Sequence, residues 1–472
     1  MDMKPGRLEL FVDGKVLEKT YGGASLRLHP PVLKEIAVTC EKPWEWLLGY
    51  SSVIPDGAGG FFLYYRGMGT SRNYRKDECH NQVTCVSHSP DGIHFSRVDA
   101  GLFPWEGSYE NNIVWTGAIC HNFTPFYDTN PDCPPSQRFK AIGGSHHGAE
   151  RFKAMGGVYD KERAFFGCGG LFAMVSEDGI HWLPLSDKPM VTAKNFSFDS
   201  QNIVFWDSHL EKYRMYSRYW HTHGNDDDYR AIQSCVSDDF IHWSELVPND
   251  YGEEITEHFY TSAACACPGA EHILLSFPNR FVEARKRSVA HDEPGISDTV
   301  FMASRDGVRW TRLFREAWLH PGPDGANWTD RNMMVGSGIV ETPDGLSVYC
   351  TEHNYQDHRI RRAVVRRHGF VSLSAGWEPG IGVTKPFVCE GGDLRLNYST
   401  SAAGHIKAWL IDAEGDTPLR APENAPEFFG DALDESYILA GSEKFMGRPA
   451  RLCFELKDAD VYSYCFERAN ES

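Results

Sequence analysis

The sequence predicts an all-β chain, a five-bladed β-propeller with a C-terminal β-sandwich, on three observations. A seven-residue word recurs at regular long intervals, strand signals precede each copy, and the word stops near Gly376, where alternation on longer strands begins. The word reads SPDGIHF from Ser89 to Phe95, SEDGIHW from Ser176 to Trp182, SDDFIHW from Ser237 to Trp243 and SRDGVRW from Ser304 to Trp310. From Ser to Ser the intervals are 87, 61 and 67 residues, the first lengthened by an insertion between Asn130 and Gly170.

Each word reads as a tight Asp-Gly turn between an apolar strand and an outer strand whose Trp or Phe packs under the next blade. VTCVSHSPDGIHF, FAMVSEDGIHW, IQSCVSDDFIHW and VFMASRDGVRW each bring an apolar strand into that turn, and IRRAVVRRHGFVSL, Ile360 to Leu373, is a fifth, degenerate copy. Inner and middle strand signals come before the words in SSVIPDGAGGFFLYYRG, NIVFWDSHLEKYRMYSRYW, SAACACPGAEHILLSFPNRF and GSGIVETPDGLSVYCTEH. The expected organisation is a hairpin and arm over residues 1–43, a propeller over 44–374 and a sandwich over 377–472. In the last segment Leu394, Leu396 and Tyr398 alternate, as do Leu452, Phe454 and Leu456.

A length of 472 residues with 41% hydrophobic and 13% aromatic residues, 44 Gly and 26 Pro describes a turn-rich globular protein with rings enough for a core. A net charge of −18 and no Lys/Arg block exclude a general nucleic-acid role. The 13 Cys form no C-x-x-C pair and read as free thiols of a reducing compartment. MDMKPGRLELFVDG has no apolar core and no run of 18 apolar residues occurs, so neither a signal peptide nor a membrane partner is expected. The expected location is the bacterial cytoplasm, or outside the cell if a signal has been trimmed. Sequons at Asn122, Asn195, Asn327 and Asn397 arise by chance at this length.

With its S-x-D-G-x-x-W turns and C-terminal sandwich, the chain resembles the arabinanase, levansucrase and invertase superfamily, which holds glycoside hydrolase families 32, 43, 68 and 117. The resemblance covers nearly the whole chain but is architectural, because the superfamily's N-D-P-N-G and R-D-P segments are absent. It implies a hydrolase acting on an oligosaccharide or polysaccharide, with no cofactor, and a central funnel with carboxylates at the inner strands of blades one, three and four. The residues opening the five inner strands are Glu45, Asn112, Asp199, Glu257 and Asp330. By analogy Glu45 is nucleophile or base, with Asp56 and Glu106 as alternatives. Asp199 sets a pKa and binds sugar, and Glu257 is the general acid.

Residues ending the middle strands should face the same funnel, because antiparallel neighbours put the end of one strand beside the start of the next. They are Arg66, Arg218, Arg280 and His353. Guanidinium groups there suit a carboxylate, sulfate or phosphate, and equally suit neutralising the catalytic carboxylates. A Pro-rich loop with Asp128 and Asp132 offers sugar-binding hydrogen bonds or plain turn chemistry. Trp46, Trp115, Tyr219, Trp220, Tyr260 and Trp328 offer ring platforms or core packing. His146, His147, His221 and His223 lie in loops, and no metal is assigned to them.

The leading expectation is an exo-acting glycosidase of a furanoside or an anionic or deoxy sugar. A glycoside phosphorylase of the same superfold and a non-catalytic carbohydrate-binding propeller are its rivals, and a homo-oligomer is compatible with all three.

Overall fold

The computed structural model describes residues 6–69, 82–144, 169–192, 198–221, 228–253, 256–287, 294–414, 420–439 and 441–467. The chain is all-β and divides into two compact units, one of residues 31–310 and 315–364, the other of residues 1–30, 311–314 and 365–472.

Among the described residues, the larger unit holds six antiparallel sheets, five of which run through four positions. The first comprises Gly49–Pro55, Phe61–Met68, Gln82–Ser89 and Ser96–Arg97, with Ile113–Thr116 added beside Gln82–Ser89. The second comprises Thr124–Tyr127, Phe139–Gly143, Phe172–Ser176 and Leu183–Pro184. Ile203–Asp207, Lys212–His221, Tyr229–Ser237 and Val247–Pro248 make the third. The fourth is Cys265–Cys267, Ala270–Ser276, Met302–Ser304 and Trp310–Thr311, with a three-stranded satellite of His258–Phe259, Asn279–Val282 and Ile296–Thr299. The fifth is Val340–Thr342, Gly345–Glu352, Arg359–Val365 and, from far back in the chain, Val32–Thr39.

The recurring word forms the turn into the outermost position of the first four sheets, and its chemistry is local. Asp178 Oδ1 accepts from the N–H groups of Ile180 and His181, both at 2.8 Å, and Asp239 and Asp306 repeat the arrangement at 2.7–2.9 Å. Asp91 does the same with Ile93 and His94. The next position needs a positive φ, which Gly92, Gly179 and Gly307 adopt at 70–77°; in the third word Phe240 takes it at 70°. The turn also ties neighbouring sheets together. Tyr64 of the first sheet donates to the Gly179 carbonyl of the second at 2.6 Å, and Tyr216 of the third donates to Gly307 of the fourth at 2.8 Å. Tyr349 of the fifth donates to Gly92 of the first.

The first four sheets pack in sequence, and the fifth packs on the first. Phe62 and Tyr64 meet Phe139, Phe172 and Trp182; Phe126 and Ile142 meet Val204, Tyr213 and Met215; Tyr216 and Ile232 meet Leu274, Met302 and Trp310. Val340, Tyr349 and Ile360 pack on Val53, Leu63 and Tyr65, and Ser337 hydrogen-bonds Ser51 and Val53 across that seam at 2.8 and 2.9 Å. Fully burying a side chain of this size contributes about 1.5–3 kcal/mol, so each seam is a core in its own right.

The smaller unit is one seven-stranded sheet, where two facing sheets are expected from the sequence. Its long strands Val371–Thr384, Leu394–Asp412 and Pro449–Phe466 shift register between Ala375 and Gly380 and between Thr400 and His405, places where a strand bends. The arm expected over residues 1–43 is divided between the units. Leu17–Leu28 pairs with Val371–Thr384, and Val32–Thr39 pairs with Arg359–Val365 as the outer strand of the fifth sheet. The degenerate fifth word therefore delivers its following strand to the other unit.

Candidate active site

The site is assembled from the first strands of the sheets and the ends of the second strands. In the first sheet Gly49 stands opposite Arg66, and a side chain at Gly49 would come within 3.0 Å of Arg66 Nη2. The missing side chain lets the guanidinium lie across the strand. It sits 4.7 Å above the Tyr50 ring and donates from Nη1 to the His121 carbonyl at 3.2 Å.

His121 ends a short 3-10 turn, Ala118–His121, at the entrance to the second sheet. Its Nε2 is 2.7 Å from Asp199 Oδ1, and its Nδ1 is 3.1 Å from Gln82 Oε1. Asp199 Oδ2 accepts from Arg218 Nη2 at 3.2 Å. Burial opposes ionisation of Asp199, but the hydrogen bond and charge of His121, with the charge of Arg218, outweigh it and hold the carboxyl well below the usual carboxylate range. The side chain is nonetheless 46% exposed, whereas that of Arg218 is 2% exposed. An ionised carboxylate is thus presented from a buried cationic base.

Aromatic rings border it. The Tyr50 and Tyr260 hydroxyls are 3.4 Å apart, and burial, first of all, lifts the Tyr50 phenol well above its ordinary pKa, so it stays protonated. On the long hairpin of the third sheet Arg218 and Trp220 share a face, and Arg230 is the cross-strand partner of Trp220. The Arg230 guanidinium lies 4.4 Å from the Trp220 ring, 5.8 Å from Tyr260 and 5.1 Å from Phe281. Its Nη1 is 3.0 Å from His258 Nδ1; burial first, then the charge of Arg230, lower the His258 pKa.

Of the residues singled out in the sequence, the structure brings Arg66, Asp199, Arg218, Trp220 and Tyr260 together. Glu45 lies elsewhere. Its side chain is fully buried, clamped by Arg97 at 2.9 and 2.7 Å and by the Tyr65 hydroxyl at 2.7 Å. The first strand begins at Gly49, so Tyr50 occupies the place that the sequence assigns to Glu45. Asn112 belongs to the same buried network, holding the Tyr65 hydroxyl at 2.8 Å and Trp44 Nε1 at 2.9 Å. Asp56 closes the first hairpin turn by accepting from Ala58 and Gly60, and Glu106 is exposed in a turn. Asp128 is buried against Lys140 and accepts from the Tyr213 hydroxyl at 2.7 Å.

Glu257, 34% exposed, pairs with Arg280 at 3.1 Å, and Arg280 also grips Asp298 at 2.8 and 2.6 Å. His353 is held between Asp324 and Asp357, each at 2.8 Å. Asp330 pairs with Arg331 at 3.0 Å. His146, His147 and His223 lie outside the described residues, and His221 stacks on Tyr229 at 4.8 Å. Among the described residues no group of three His, Cys, Asp or Glu side chains could hold a metal ion. No helix of the described residues is long and apolar enough to cross a membrane.

Sequence reasoning missed Tyr50, His121 and Arg230 as members. Arg230 was within reach by counting register across the hairpin from Trp220; His121 was not, because its approach to Asp199 joins positions 78 residues apart.

No family model matches the chain, and no curated protein matches it. Similar solved structures include glycoside hydrolases of propeller-type families. An N-acetylgalactosamine deacetylase from F. plautii is similar at 15% identity over 72% of this chain and 94% of its own, with a TM-score of 0.45. An endo-arabinase from Bacteroides thetaiotaomicron is similar at 8% identity over 70% and 98%, with a TM-score of 0.39. A GH130 protein, of a family of mannoside phosphorylases that contains glycoside hydrolases, is similar at 12% identity over 73% and 94%, with a TM-score of 0.38.

Proposed function

We propose that this chain is a glycoside hydrolase built on a five-bladed β-propeller, with Asp199 as the ionised carboxylate of the reacting pair and Glu257 as the proton donor. The five sheets are its blades, closed where Val32–Thr39 completes the fifth and Ser337 meets the first. The seven-stranded sheet is read as the sandwich, curled at its register shifts.

The observation that carries the reading is Asp199: held ionised by His121 and Arg218 and yet presented outward among Tyr50, Tyr260 and Trp220. Glycosidic cleavage passes through an oxocarbenium-like state, which a fixed carboxylate stabilises, attacks or supplies with activated water. The rings suit the faces of a sugar. Glu257 stands three residues before Tyr260 and is bound by one arm of Arg280, which also holds Asp298 and the Arg315 carbonyl. In this role Glu257 protonates the leaving oxygen while Asp199 acts on the anomeric carbon or on a water.

Glu257→Gln tests the pairing. Turnover of a substrate with a poor leaving group should fall about 10²- to 10⁴-fold, and an activated aryl glycoside that needs no proton should be spared. Equal loss on both substrates removes Glu257 from the role. Turnover that requires inorganic phosphate replaces hydrolysis by phosphorolysis, a reading favoured by the excess of arginines over carboxylates around Asp199.

A further inference from the structure

In a chain of net charge −18, buried or half-buried arginines are expected to sit on carboxylates. Most do. Arg97 holds Glu45, Arg214 holds Asp207, Arg280 holds Glu257 and Asp298, and Arg362 holds Glu35 and Asp344. Two arginines of the candidate site depart from this rule, and a third meets it only in part. Arg66 and Arg230 have no carboxylate within ion-pair distance among the described residues, and Arg218 shares the single carboxylate of Asp199 with His121.

All three stand around the Tyr50–Tyr260 pair. Arg66 is 4.7 Å from the Tyr50 ring, and Arg218 and Arg230 are 5.3 and 5.8 Å from the Tyr260 ring. Stacking on a ring occupies the face of a guanidinium and leaves its N–H edge for an anion. The buried Nε of each of the three has no hydrogen-bond partner among the described residues. A buried donor left unmade costs about 1–3 kcal/mol, so three at one place mark a site for an acceptor that the described residues do not supply. Burial first, and the charge of Arg218 second, lower the Arg230 pKa from its ordinary value, while Tyr260, Glu283 and Asp199 oppose this.

We propose that Arg66, Arg218 and Arg230 form a subsite for an oxyanion carried by the substrate, a sugar carboxylate or sulfate seated over Tyr50 and Tyr260 beside Asp199. The inference rests on the glycosidase reading and deepens it: the preferred substrate is an acidic saccharide. Planar guanidinium edges match the two or three oxygens of such a group in a way that Lys does not.

Calorimetric titration of the full chain with galacturonic acid, galactose 6-sulfate, galactose and inorganic phosphate tests it without requiring turnover. At least one charged sugar should bind tenfold or more tighter than galactose, with an affinity that weakens as salt rises. Arg230→Gln should remove that preference, read as the ratio of charged- to uncharged-sugar affinity, and Arg230→Lys should restore it only in part. If Arg230→Gln fails to fold, the salt dependence for charged against uncharged sugar on the unaltered chain decides. Equal affinity for charged and uncharged sugars, or binding of none of the probes, overturns the proposal. Tight binding of inorganic phosphate alone also overturns it, in favour of a phosphate co-substrate. The glycosidase reading fails separately, if Asp199→Asn leaves turnover of uncharged saccharides intact.

Discussion

Glu45 and Asp199 are both acidic residues near the start of a sheet's first strand and both touch an arginine, yet their surroundings differ. Glu45 has both oxygens matched by Arg97, a phenol added to one of them, and no exposure at all. Asp199 has one imidazole and one guanidinium nitrogen, and nearly half of its side chain stays open. A carboxylate whose acceptor capacity is filled from inside the protein is structural; one that is held ionised with capacity left over can work on a ligand. The difference lies in the partners and the exposure, not in the residue type or its place in the repeat.

Removing the two acids should therefore separate two kinds of damage. Asp199→Asn is expected to lower turnover about 10³-fold with the fold intact, measured as kcat on a saccharide substrate beside a thermal melt. Glu45→Ala should do the reverse. Removing one partner of a buried pair leaves Arg97 with only exposed Glu41 and should cost about 3 kcal/mol in urea unfolding, the low end for such pairs because Arg97 keeps 24% exposure and that second carboxylate. Activity per folded molecule should hardly change. If Glu45→Ala abolishes turnover at full stability, the contrast between the two clusters collapses.

A smaller effect is expected from pH. His358 is buried and its Nδ1 accepts from the Leu48 N–H at 3.0 Å, which requires the neutral ring. Burial, then the charges of Arg331, Arg66 and His353, push its pKa down to about 3. Because the unfolded chain takes up this proton at about pH 6.5 and the folded chain does not, stability should fall by at most about 1.4 kcal/mol per unit as pH drops from there toward about 3. Asp199 adds to the loss only below about pH 4, since its folded pKa lies under its unfolded one. His358→Gln should flatten the slope between pH 6.5 and 4.5; an unchanged slope would show that other groups set it.

The smallest effect is the most local. Gly49→Ala places a methyl 3.0 Å from Arg66 Nη2, the far end of a flexible side chain, so stability should change by less than about 1 kcal/mol. The displaced guanidinium should raise KM for an acidic saccharide several-fold and leave KM for a neutral one unchanged. Equal effects on both would separate Arg66 from the proposed anion site.

What could be read from the sequence were features written within a few residues of one another. The recurring word announces its turn because Asp178 and its counterparts bond the N–H groups two and three positions on, whatever surrounds them. Arg66 and Arg218 were legible because a hairpin places the end of its second strand beside the start of its first, a matter of register alone. Tertiary structure decided the rest. It drew Val32–Thr39 across more than three hundred positions to finish the fifth sheet, sent Leu17–Leu28 to the other unit, and set His121 against Asp199 while closing Arg97 over Glu45. None of these pairings has a local signal, because each depends on which distant surface a strand end meets, and that is settled only when the sheets pack side by side.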